Sequence, residues 1–246
     1  MKIIVPIKRV PDPYAKVRFQ SDGKSLNLEG MKFEINPFDE IAMESACQIK
    51  ENIGADIEII AVSVGSDLCE EQLRKSLAMG ADRGIIVQTN EKLDAGQIAD
   101  ELAAIVKIEN AELVLMGKQA TDDDCNQTGQ MLAAKLDWPQ ATFASKISIQ
   151  GLVATVTRET DQGDQTVNIP LPCVITADLR LATPRYIALP GIIKARSKPI
   201  DKLPRFTTGA TRVHTVETVP TPARQKGKRV ASVQELVKEL LAQGAI

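Results

Sequence analysis

The sequence predicts an α/β fold: three α/β/α layers on a mostly parallel, doubly wound sheet, with small antiparallel hairpins and an extended C-terminal arm ending in a helix. Three observations carry this. Short apolar runs at 3–7, 57–64, 84–88 and 111–117 alternate with amphipathic stretches of about ten residues or more. After residue 145 the pattern changes to alternating β-branched runs separated by turn residues. From about 182 the chain becomes rich in proline and cations. With 246 residues, 43% apolar and 25% charged, it can bury a full core.

In chain order, IIVPI (3–7) reads as the first strand. A small hairpin is expected at 17–28, turning at Ser21, Asp22 and Gly23. Asn36 as N-cap and Pro37 at the first helical position open a helix with Ile41, Ala42, Ser45, Ala46 and Ile49 on one face. IEIIAVSV (57–64) is a buried strand, and the following helix stops at Gly80. GIIVQ (84–88), a helix over 95–108, the strand AELVLMG (111–117) and a helix over 128–136 continue the alternation. KISIQ, VATVTRET and QTVNIPL read as an antiparallel meander, with a turn at 161–164. CVITADL (173–179) returns to a continuous apolar strand. Beyond it, an extended arm leads to an amphipathic helix over 230–243, with Ser232 as cap. The expected division is a domain over 1–181 and an arm over 182–246.

The net charge is −2, but it is uneven. Residues 194–230 hold ten Lys or Arg against Asp201 and Glu217, a local balance of +8, which leaves −10 elsewhere. Such a split suggests a segment with its own partner. The four cysteines (Cys47, Cys69, Cys125, Cys173) show no zinc or C-x-x-C spacing and read as reduced thiols. His214 is the only histidine and lies in the basic stretch, so neither a histidine-based triad nor a multi-histidine metal site is expected. No apolar run reaches the roughly 18 residues that span a bilayer. The N-terminus has no signal-peptide pattern, so a cytoplasmic, bacterial location is expected.

Several motifs fail on inspection. Gly23-Lys24-Ser25 resembles the end of a phosphate loop, but Arg18 stands where its first glycine belongs. No G-x-G-x-x-G occurs. Asp122, Asp124 and Asn126 imitate a calcium loop, but Gln127 and Ala133 replace its glycine and its glutamate.

The informative segment is LVLMGKQATDDDCNQTGQMLAAKLDWPQ. A buried strand ends at Gly117, a polar loop follows, and a helix starts near Thr128 and Gly129. In a doubly wound sheet this places a loop and a helix N-terminus beside the ligand crevice, where free N–H groups suit a phosphate. A solvated acidic loop with an N-cap is the other reading, since three carboxylates repel a phosphate.

The chain resembles the beta subunits of electron-transfer flavoproteins. VPIKRVPDP, INPFDEIAMESA, IAVSVG, LRKSLAMGADRGI, GKQATDDDCNQTGQMLAAKLDWPQATFAS and TADLRLATPRYIALPGIIKARSKP carry the resemblance, which covers nearly the whole chain. It implies a non-enzymatic carrier subunit. The alpha subunit holds FAD, this chain holds a structural AMP, and the C-terminal arm wraps alpha. It further implies electrons from acyl-CoA or other flavin dehydrogenases, as in fatty acid oxidation, passing to a quinone oxidoreductase. The motif places the cofactor site at Pro6, Asn36, Pro37, Phe38, Asp39, Val64, Asp122, Asp123, Asp124, Cys125, Asn126, Gln127, Thr128 and Gly129. Asn126, Gln127 and Thr128 fall at the helix N-terminus, and Phe38 falls towards the flavin. Arg185, Tyr186, Leu189, Pro190, Ile192, Lys194 and Arg196 match the family's recognition loop, with Leu189 as anchor for a dehydrogenase and Arg180 and Arg185 as alternative braces. The loop DDDCNQTG resembles the AMP-binding type rather than relatives that hold a second FAD. Two positions depart from the family: Pro6 replaces a frequent alanine and removes an N–H, and Pro13 replaces a tyrosine, with Tyr14 one position later.

Without the resemblance, two other functions compete. One is a stand-alone adenine-nucleotide-binding or hydrolysing α/β protein, for which only Lys118 lies near the crevice. The other is nucleic-acid binding by the basic stretch, which has one aromatic, Phe206, for stacking.

Overall fold

The computed structural model describes residues 1–22, 25–54, 56–224 and 226–246. Strand alternation builds two cores. In β1 (Lys2–Pro6), Ile3 and Val5 face one layer and Ile4 the other. In β4 (Glu58–Gly65), Ile59 and Ala61 face the first layer and Ile60 and Val62 the second. In β6 (Leu113–Gly117), Leu113 and Leu115 oppose Val114 and Met116 in the same way. Strands apolar on both faces belong inside a parallel sheet covered by helices on each side.

The first layer is filled by α1 (Pro37–Ile53) and α2 (Glu70–Met79), and the second by α3 (Ala95–Glu109) and α4 (Thr128–Leu136). The face expected of α1 is the buried one: Ile41, Ala42, Ser45, Ala46 and Ile49 are all inside. Gly80 ends α2 at φ 150°, a conformation costly for any residue with a Cβ. No helix among the described residues is long and apolar enough to cross a membrane.

Among the described residues nine strands form the main sheet. Its order is β11-β5-β4-β1-β6-β10-β7-β8-β9, where β5 is Arg83–Gln88, β7 Gln140–Gln150, β8 Val153–Thr160, β9 Gly163–Pro170, β10 Cys173–Ala177 and β11 Ile200–Pro204. Pairing is parallel from β11 through to β7 and antiparallel from β7 to β9. The chain winds from β1 through β4 to β5 on one side, then returns to β6 on the other side of β1. That reversal opens a crevice beyond the carboxyl ends of β1 and β6. A separate two-stranded antiparallel ribbon, β2 (Arg9–Pro11) with β3 (Phe33–Ile35), leads into α1.

Residues 189–204 depart from the sequence expectation of extended chain. They form α5 (Leu189–Ser197) and then β11, the edge strand that pairs with β5. Here proline marks element ends. Pro190 sits in the first turn of α5, where no intrahelical N–H is needed, and Pro204 ends an edge strand. The strand expected at 173–179 ends at Ala177.

Contacts divide the chain into one unit of residues 1–16 and 28–214 and a second of 17–27 and 215–246. In the second, Phe19 and Leu26 form an isolated antiparallel bridge, in keeping with the expected hairpin. Its expected turn residue Gly23 and the rejected Gly23-Lys24 pair lie outside the described residues. Helix α6 (Val233–Ala242) is capped by Ser232, whose hydroxyl accepts from the Glu235 N–H at 3.2 Å, and it buries no residue.

Candidate functional site

A cavity of about 260 Å³ opens at the strand-order reversal. Pro6, Ile7 and Lys8 line it at and beyond the end of β1, Val62 and Val64 from β4, and Gly117 to Ala120 at and beyond the end of β6. Thr89, Glu91 and Leu93 after β5, with Ala95, Ile98 and Leu102 of α3, form its far wall. Asn126 to Gly129 close it at the start of α4. The volume approaches the lower end of the range for small-molecule sites.

Asp39, in the first turn of α1, fixes the cavity floor. One carboxylate oxygen accepts from the Lys8 N–H at 2.8 Å and the other from the Gly117 N–H at 3.1 Å. A single buried side chain thus ties together the chain after β1 and the end of β6. Burial pushes its carboxyl up to about 7, against the donations from Lys8, Asn36 and Gly117. Gly117 must be glycine for this approach, since a Cβ there would lie 2.4 Å from Asp39 Oδ1 and 2.6 Å from Phe38 Cβ.

Asn36 precedes α1 but makes no side-chain cap hydrogen bond, contrary to the expectation from its position. Its amide instead holds the polar loop: Nδ2 donates to the Gln119 carbonyl at 2.8 Å, and Oδ1 accepts from the Thr121 N–H at 3.3 Å. Capping is a local bond, and here the longer-range loop takes the same atoms.

The three consecutive carboxylates each have a polar partner, and Asp123 itself lines the cavity. Lys8 Nζ binds Asp122 Oδ1 at 2.7 Å and Asp123 Oδ2 at 2.8 Å, and the Gln119 amide donates to Asp124. Asp124 and Asn126 adopt the left-handed conformation, at φ 52° and 49°, which Asp and Asn tolerate better than other side chains. Those two turns deliver the chain to α4. No side chain caps α4 at Gln127, and Thr128 and Gly129, whose N–H groups have no intrahelical partner, line the cavity. Gly129 lets this terminus press on the sheet, because a Cβ there would lie 2.5 Å from Thr176 Cγ2.

In the cavity lining, Lys118 pairs with the buried Asp178 at 2.7 Å. Its ammonium lies 4.6 Å from the Phe143 ring centre and 5.6 Å from that of Phe38, within cation–π range. Phe143 holds φ 60°, an uncommon conformation for a bulky residue, where the pairing of β7 with β10 shifts register.

Of the residues expected from the motif, Pro6, Asn36, Asp39, Val64, Asp123 and Cys125 to Gly129 line the cavity. Pro37, Phe38, Asp122 and Asp124 do not. Phe38 is buried, Asp122 pairs with Lys8, and Asp124 accepts from Gln119 within the loop. Sequence reasoning missed Lys8, Gln119 and the wall from Thr89 to Leu102. The end of β5 was a legible signal for that wall, because ligand sites follow the carboxyl ends of such strands.

In the segment expected to meet a partner, Tyr186 is 94% exposed and Leu189 67% exposed. Ile192 is also exposed, as are Pro190, Lys194 and Arg196. Arg185 acts as the brace: Nε binds Glu44 at 2.7 Å and Nη1 binds Glu51 at 2.6 Å. Tyr14 is 97% exposed.

A family model described as the electron transfer flavoprotein domain matches residues 26–205. An electron transfer flavoprotein subunit beta, mitochondrial, of Arabidopsis thaliana is 49% identical over 245 residues, covering 98% of this chain and 97% of that one. The electron transfer flavoprotein subunit beta of Bradyrhizobium diazoefficiens is 45% identical, with the same coverage of each chain. That of Homo sapiens is 43% identical, covering 100% of this chain and 99% of its own.

Proposed function

This chain belongs to the electron transfer flavoprotein beta-subunit family, and from that premise we propose that it binds AMP in the crevice as a structural nucleotide and docks flavin dehydrogenases through Leu189. In this reading its heterodimer partner, the alpha subunit, holds FAD, and the flavin supplies the redox chemistry. Electrons from acyl-CoA or other dehydrogenases pass on to a quinone oxidoreductase, and this chain turns over no substrate.

One observation supports the AMP reading: the N-terminus of α4, which has no side-chain cap, lines the cavity, and Lys8 pairs with Asp122 and Asp123 and so offsets the charge of the neighbouring acids. The N–H groups at Thr128 and Gly129 and the helix dipole favour a phosphate, with Asn126 and Gln127 beside it. The apolar groups from Val62, Val64 and Ile98 suit the flat base. In this reading Phe38, whose ring centre lies 5.6 Å from the Lys118 ammonium, is the residue that approaches the flavin.

Native purification of the heterodimer followed by denaturation and nucleotide analysis tests this. One AMP and one FAD per heterodimer are expected. Two FAD, no nucleotide, or steady ATP turnover would each overturn it. Asn126→Asp keeps the left-handed turn and the acceptor for Gln130 Nε2, but adds a charge beside the phosphate. At about 4 Å that repulsion costs roughly 1–4 kcal/mol, so AMP release should quicken about fivefold or more with unchanged circular dichroism. Full retention would move the phosphate elsewhere.

The exposed Leu189 begins α5, with Lys194 and Arg196 in the last turn. One aliphatic anchor ringed by charge gives a fast-exchanging contact. Leu189→Ala should leave FAD and AMP content intact and slow reduction by a dehydrogenase about tenfold. An unchanged rate would remove the anchor.

A further inference from the structure

Helix α3 carries two stripes one residue apart. Ala95, Ile98 and Leu102 face the cavity. Asp94 at the N-cap, Gln97 and Glu101 each precede one of them, about 100° around the axis, and these three hold the chain segment 205–212. Glu101 is fully buried. It accepts from the Phe206 N–H at 2.8 Å, the Thr207 N–H at 3.0 Å, the Thr207 hydroxyl and Arg205 Nε at 3.4 Å. Gln97 donates from Nε2 to the Gly209 carbonyl at 2.6 Å and accepts from the Thr211 hydroxyl at 2.9 Å. Asp94 accepts from the Arg212 N–H at 2.8 Å. Arg205 also binds Glu91, on the cavity's far wall, at 2.5 Å.

A buried carboxylate requires hydrogen-bonding partners, and the bonds Glu101 makes all come from residues 205–207. The segment is therefore fastened to the same helix that walls the cavity, and to the loop before that helix. Packed helices move as bodies rather than bending at one side chain. We propose that residues 205–212 form a strap that sets the position of α3, and that Glu101 is a positioning residue for the nucleotide although it does not line the cavity. Strap docking and nucleotide binding then stabilise each other to the same extent in both directions. This rests on the AMP reading of the cavity.

The test uses the intact heterodimer with Glu101→Gln and with Thr211→Val. Glu101→Gln keeps the shape but turns an amide NH₂ towards donors. Thr211→Val removes one hydroxyl at the partly exposed end of the strap and leaves the buried cluster in place, so it folds even if the first variant does not. The readouts are AMP release and amide hydrogen exchange in two peptides, 205–212 and 89–102. Glu101→Gln should raise exchange in both peptides and quicken AMP release about tenfold, with Thr211→Val doing the same about threefold. Saturating AMP should slow exchange in the wild-type strap. Faster strap exchange with unchanged AMP release, or strap exchange indifferent to AMP, overturns the coupling. If the wild-type heterodimer holds no AMP, the cavity reading fails on its own, and the 89–102 peptide still decides the strap. Raised exchange there in Thr211→Val upholds its control of α3, and unchanged exchange overturns it.

Discussion

Gly117→Ala is expected to lower stability by about 3 kcal/mol or more and to abolish nucleotide retention. Overpacking a core usually costs about 1–3 kcal/mol because side chains can shift. At Gly117 the obstacles cannot all move. The new methyl would lie 2.6 Å from Phe38 Cβ, 2.9 Å from the Phe38 carbonyl carbon and 2.4 Å from Asp39 Oδ1. Relief requires moving the first turn of α1 from the end of β6, which breaks the hydrogen bond from the Gly117 N–H to Asp39. For a chain of this size, 3 kcal/mol corresponds to a fall in Tm of roughly 6–12 °C. Thermal denaturation with nucleotide content measured alongside checks this. Gly227→Ala is the control, since a Cβ there meets nothing within 4 Å. A Tm within a degree or two of wild type for Gly117→Ala would show that the α1–β6 approach can relax.

Asp39→Asn is expected to destabilise the fold most at acid pH, with the gap to wild type narrowing as pH rises towards 7. An amide has one acceptor oxygen, so either the Lys8 N–H or the Gly117 N–H would face an NH₂ group, a loss of about 1–3 kcal/mol. The pH dependence comes from the wild type. Burial raises the folded carboxyl from 3.8 to about 7, so between those values the folded state binds the proton that the unfolded chain releases. The stability this group contributes is full below about 3.8, falls as pH rises through 7 and is flat beyond. The whole swing is at most on the order of 4 kcal/mol. Urea unfolding of both proteins from pH 4.5 to 8 measures the gap. A gap that widens with pH would mean that the two N–H donors and the α1 terminus hold the carboxylate charged despite its burial.

The legible parts of this protein are those written in local periodicity. The stripe of α1, the alternation in β4 and β6, and the stop at Gly80 each follow from residues within a turn or two of one another. The span of α4 matches the stretch TGQMLAAKL. The prolines of 182–204 misled because proline is compatible with extended chain, helix starts and edge strands alike, and only pairing with β5 selects among these. The far wall of the cavity was legible only as a place, the carboxyl end of β5, and not as particular residues. Thr89, Leu93 and Ile98 are unremarkable in sequence and become site residues through sheet order alone.

The acidic loop divides most clearly between the two levels. By itself the sequence determined a strand, a polar loop with three carboxylates and a helix start, and it determined the family, because long specific runs of residues identify kinship without any geometry. What stands opposite those carboxylates was decided by tertiary structure. Lys8, 114 residues from Asp122, reaches across the crevice to two of the carboxylates. Asn36 gives up its cap to hold the loop's backbone, and Asp39 joins two strand ends that never meet in sequence. Periodicity reports which face of an element is apolar. It carries no information on which distant charge will stand opposite, since that depends on the order in which the strands cross.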